Sequence, residues 1–174
     1  MAKNPGRSTT GSRCLGWLGA GSTLGFFFAL LLGGVYLNVL SRQMLGPLFV
    51  YWAAVELVLA GGLLCVYRLS GEAKHAFGGM LLLGAAFFSL NAVFRFLPSL
   101  GLLETAVQAL GLVAFSLLLY ELGRQRPATG LEGAGGLIFL GVIFQILQAP
   151  LMEAAGVFLL AAGFLLASGR LMRL

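Results

Sequence analysis

A single acidic residue, Glu56, stands in the middle of the apolar run Pro47–Tyr67, about nine residues or roughly 13 Å from where that run begins. A carboxyl group at that depth in a membrane is a candidate proton carrier. An ionised, unpaired carboxylate in hydrocarbon costs several kcal/mol, so Glu56 is expected to hold a proton or to bond to Asn38, Asn91 or Tyr36. Tyr51 and Trp52, one turn away, are the expected walls of a cavity beside it. The structural alternative is a neutral Glu56 that simply joins two helices.

The second polar feature is a pair that occurs twice. Asn38 and Arg42 are four residues apart, as are Asn91 and Arg95 in the stretch Ser89–Pro98, and four residues on a helix share a face. The offset between the pairs is 53 in both members. Near the same level, Glu104, Gln145 and Glu153 complete an expected outer polar ring with Arg42 and Arg95. As structure, this ring pairs arginine with glutamate, or lets arginine reach the interface, and so fastens helices together. As function, it is a vestibule for an anion, a lipid head group or a partner segment.

No catalytic constellation accompanies these groups. The chain has no Asp, no histidine inside an apolar run, and no HExxH, GxSxG, CxxC or P-loop spacing. No catalytic residue, metal set or cofactor is therefore expected, and the chain reads as non-enzymatic. The one histidine, His75, lies in the polar connector Arg68–Ala76, where it is expected to be solvated and without a second ligand. Cys14 and Cys65 fall at the same expected end of their helices, on the side assigned to the cytoplasm. Thiols there stay reduced, so a disulfide is not expected.

The elements that position these groups follow from composition. Of 174 residues, 59% are hydrophobic and 10% charged, against roughly 25% charged in a soluble domain. The 26 glycines suit helices that pack closely in lipid. The fold class expected is all-α, a polytopic membrane protein with six spans in three antiparallel hairpins, 15–67, 77–120 and 134–168, forming one domain over 15–174. Residues 1–14 read as a polar, disordered cytoplasmic tail. The run Leu15–Leu40 exceeds the 7–15 residues of a signal h-region, so it is read as an uncleaved first span. Along it Gly21, Gly25, Ala29 and Gly33 recur every fourth position, a small-residue face for helix packing. The last hairpin, Ala134–Ala149 with Leu151–Ser168, is close to the lower length limit of about 17 residues.

Lysines and arginines divide nine to two between the two sides of this topology, with only Arg42 and Arg95 outside. The positive-inside rule then puts both termini in the cytoplasm, and the reading places the chain in a prokaryotic plasma membrane. Sliding 24–70 onto 77–123 gives eleven identities in 47 positions, including Asn38 on Asn91, Arg42 on Arg95 and Tyr67 on Tyr120. That suggests a hairpin repeat, which Glu56 interrupts because it falls on Ala109. Scattered basic residues argue against nucleic acid. The partners expected are the lipid bilayer and, within it, a second copy or a membrane partner subunit. Function is expected to be helix association, as an accessory, assembly or stress-related protein, with a small proton-coupled transporter using Glu56 as the alternative.

Overall fold

The computed structural model describes residues 5–37, 39–147 and 150–174. Among them the regular structure is all helical: α1 (Pro5–Tyr36), α2 (Leu45–Ser70), α3 (Ala73–Phe94), α4 (Leu102–Gln125), α5 (Leu131–Ile146) and α6 (Pro150–Leu171), with short 3-10 turns at Arg42–Met44 and Pro127–Thr129. Five of the six are long and apolar enough to cross a membrane. Helix α5, at 16 residues, is apolar but shorter, about 24 Å. Helix α1 begins at Pro5, so the segment expected to be a disordered tail over 1–14 is helical in its described part.

Each helix packs on its neighbours in sequence, and α6 packs on α1, so the bundle closes into a ring. Between helices in lipid the driving force is van der Waals packing rather than water exclusion, so close approach matters more than bulk. The small residues of α1 supply it inside the chain. A side chain at Gly21 would run into Leu59 of α2, one at Gly25 into the ring of Phe164 of α6, and one at Gly33 would touch Val157 of α6. Ala29 is buried on the same stripe. Leu18, Leu59, Leu63, Leu82, Phe115 and Leu119 are fully buried in the interior of the bundle.

Local chemistry terminates the helices. The α2 helix stops at Gly71, whose left-handed backbone (φ 73°) lets its N–H bond back to the Tyr67 carbonyl. The α3 helix stops in the same way at Arg95, with φ 54° and its N–H on the Asn91 carbonyl. A left-handed arginine is strained, because its Cβ approaches the following carbonyl. Arg95→Gly is therefore expected to raise stability by about 1 kcal/mol, while Arg95→Gln leaves it unchanged, as read from thermal unfolding in detergent.

Two expectations about the polar pairs are corrected here. Arg95 lies beyond the end of α3, and Arg42 opens a separate 3-10 turn six residues after Tyr36, the last residue of α1. Arg95 therefore does not share a helix face with Asn91, and Arg42 is not part of α1; Asn38 lies outside the described residues. Propensity alone does not reveal this, since both helices end in residues that would tolerate another turn.

A third correction concerns the cysteines. Cys14 and Cys65 form a disulfide, with Cα atoms 5.4 Å apart, which joins α1 to α2. The two helices run side by side, and their thiols meet at one level. The compartment argument speaks of thiols that solvent reductants reach, whereas Cys14 is only 1% exposed and Cys65 is itself partly buried. The bond is expected to survive dithiothreitol in the folded protein. Maleimide-polyethylene glycol should then add two adducts only after denaturation and reduction together.

Candidate functional site

Glu56 is fully buried in α2, where it faces α3. Its Oε2 accepts a hydrogen bond from the Ser89 hydroxyl at 2.8 Å, and Ser89 Oγ in turn accepts from the Gln108 amide of α4 at 3.2 Å. The Trp52 indole lies near the carboxyl group as well, and Oε1 has no hydrogen-bond partner. Three helices thus contribute one side chain each to a polar line through an apolar interior. Glu56 was expected to bond Asn38, Asn91 or Tyr36. Its observed partner is Ser89, and Asn38 lies outside the described residues.

Ser89 and Gln108 escaped the sequence reading, although reflection through the connections would find them. Glu56 is fifteen residues before Gly71 and Ser89 seventeen after Glu72, and in an antiparallel hairpin similar distances from the turn mean similar depth, here within about 3 Å. Reflection through Pro98 and Ser99 likewise carries Ser89 onto Gln108.

Gln108 also borders a cavity of about 410 Å³. Its walls come from α1, α2, α4, α5 and α6. Phe28, Trp52 and Phe164 form its aromatic floor, Thr105, Gln108 and Gln145 its polar positions, and Tyr36, Leu45 and Ile146 its rim at the end away from the disulfide. Phe28 and Trp52 stack with ring centres 4.4 Å apart, and Phe164 meets Trp52 edge-on at 6.2 Å. Tyr51, the other expected wall, is used differently. Its hydroxyl donates to the Leu24 carbonyl at 3.0 Å and so ties α2 to α1.

The remaining polar residues divide between local roles and the cavity rim. Asn91 is buried and clasps the turn that follows it: its amide donates to the Leu97 carbonyl, and its Oδ1 accepts from the Leu97 N–H at 2.8 Å. Glu104 accepts from the Leu100 N–H at 2.8 Å, a cap at the start of α4. Glu153, in the first turn of α6, lies near the Tyr36 hydroxyl at the end of α1. Arg42 lines a smaller cavity of about 270 Å³ that shares Leu32, Tyr36 and Leu45 with the larger one. Among the described residues neither Arg42 nor Arg95 pairs with Glu104 or Glu153, so the expected arginine–glutamate ring does not form. Glu104 spends an oxygen on a helix terminus instead.

At the opposite end, His75 is buried in the first turn of α3 rather than solvated in a loop. Its Nε2 lies 3.4 Å from Glu72, and Glu121 of α4 comes within reach of both. Lys74 bridges the two glutamates. Its hydrogen bond and charge hold the Glu72 carboxyl below the usual carboxylate range. With the ammonium already between them, the carboxylates act as an ion-pair cluster that ties the α2–α3 connection to α4.

Compared with protein-family models, with curated proteins and with solved structures, the chain gave no match.

Proposed function

We propose that this chain is a small, non-enzymatic, proton-coupled membrane carrier, in which the cavity takes the cargo and Glu56 holds the coupled proton. The observation that carries the reading is the hydrogen-bonded line from Glu56 through Ser89 to Gln108, because Gln108 is also part of the cavity wall. A change in what Gln108 touches would alter the bonds available to Ser89 and so to the carboxyl group. In an apolar interior, the cost of holding charge makes such coupling strong.

The association reading is placed second. Short loops support it by leaving nearly all contact surface within the membrane, but the small-residue stripe of α1 is occupied by α2 and α6 of the same chain. The carrier is proposed to span a prokaryotic plasma membrane six times, as three hairpins repeated about the membrane normal, with both termini cytoplasmic. The nine-to-two division of cations supports that orientation. Its cavity rim then opens on the outer side.

Proteoliposomes with a trapped pH indicator and an acidic lumen test this. With potassium and valinomycin present to balance charge, small neutral solutes added outside are expected to enter in exchange for protons and so give protein-dependent proton efflux, and Glu56→Gln to abolish it while inserting in equal amount. Equal efflux from the parent and from Glu56→Gln would sink the carrier reading.

A further inference from the structure

We infer that the central cavity is a binding site for an uncharged, ring-bearing molecule with a hydrogen-bonding carbonyl. This names the substrate class of the carrier proposed above and rests on that reading for its biological role, while binding itself is tested without reference to proton coupling.

Three features of the wall select this ligand. First, the cavity of about 410 Å³ falls in the usual range of roughly 300–1,000 Å³ for small-molecule sites, yet no residue that lines it is charged. A charged group within this cavity would sit without a counter-ion in a medium that cannot solvate it, because Arg42 lines only the smaller cavity that adjoins the rim, so ions, amino acids and the head of a fatty acid are disfavoured here. Second, the floor is aromatic on several sides. Phe28 lies stacked on Trp52, and Phe164 presents an edge to the indole, so a planar ring finds both a face and an edge to pack on. A flexible alkyl chain would use that geometry no better than any apolar wall.

Third, polar groups are few and placed on different helices, Gln108 on α4 and Gln145 on α5. An amide nitrogen has two hydrogens, and Gln108 directs one to Ser89. The other, together with the Gln145 amide, is available to a carbonyl oxygen. A purely hydrocarbon ligand would strip water from these amides and replace nothing.

Trp52 provides the readout. The chain has two tryptophans, so Trp17→Phe leaves Trp52, in the cavity wall, as the sole indole. Benzophenone, a neutral diaryl ketone, is titrated into the purified full chain in nanodiscs while Trp52 fluorescence is followed. Saturable quenching is expected. Gln145→Leu, close in volume, should weaken it at least tenfold, and Ala109→Phe, which puts a ring into the cavity, should remove it. Laurate should not compete.

Quenching that rises linearly with probe and is unchanged in both variants would mean partition into lipid and would overturn the site. Displacement of benzophenone by laurate at similar concentration would overturn the ligand class in favour of an anionic amphiphile. If Ala109→Phe does not fold, Gln145→Leu decides. Saturable quenching that persists in Glu56→Gln supports the site even where proton efflux fails, so the two proposals fail separately.

Discussion

Glu56→Arg is expected to lower the amount of protein in the membrane fraction to less than a tenth of the parent, whereas Glu56→Gln is expected to accumulate normally. Glu56 has no exposed surface, and its surroundings in α2 and α3 are Ser89, Trp52 and apolar side chains. A guanidinium cannot shed its proton, and at that depth it has no carboxylate to meet among the described residues. The cost at the centre of a span is about 3 kcal/mol on insertion scales, before the loss of the Ser89 bond and of packing around a longer side chain. Glutamine has the shape of the original, and its carbonyl still accepts from Ser89. Its NH2 group takes the place of Oε1, which already lacks a partner. The net change is expected to stay within about 1 kcal/mol. Quantitative immunoblots of membrane fractions and unfolding midpoints in detergent measure both. Normal accumulation of Glu56→Arg would mean that Glu56 faces water rather than a dry helix contact.

Adjacent glycines in α5 provide the second large effect, with opposite signs. A Cβ at Gly135 would lie 2.5 Å from the Ser116 carbonyl oxygen and 3.1 Å from the Tyr120 nitrogen of α4. Those atoms belong to helix backbone and cannot turn aside, so Gly135→Leu must push α4 and α5 apart. Overpacking usually costs about 1–3 kcal/mol, and separating two helices of a closed ring should exceed that range. The adjacent Gly136 has nothing within 4 Å of the same construction and is exposed. Leucine there gains helix propensity, roughly 0.8 kcal/mol over glycine, and faces the surroundings an apolar side chain prefers. Gly136→Leu is expected to raise the unfolding midpoint, Gly135→Leu to leave no folded protein. Similar behaviour of the two variants would show that α4 and α5 are not in backbone contact.

Much of the architecture is legible from residue types. Long apolar runs broken by Gly71, Pro98–Ser99 and Gly130 lead to all-α structure and to nearly every helix, because lipid leaves backbone groups no partner except within a helix. The site is less legible. Glu56 stands out from the sequence as a deep charge, and Trp52 as its neighbour one turn away. Ser89 and Gln108 do not, since a serine and a glutamine in apolar runs are ordinary until two hairpins bring them to one depth. The arginines misled for a related reason. Spacing of four implies a shared face only while the helix continues, and a left-handed residue at position 95 ends it.

By itself, then, the sequence determined that this protein is a bundle of apolar helices, that its small-residue face on α1 must be covered, and that one carboxyl group lies deep among them. Each of these depends on single residues or on the regular period of a helix. Only the tertiary structure decided that the covering helices are α2 and α6, that Cys14 reaches Cys65, and that the deep carboxyl group connects through Ser89 and Gln108 to an uncharged cavity. Those facts depend on how each helix is rotated about its axis, and in lipid that rotation is set by the packing of all neighbours together.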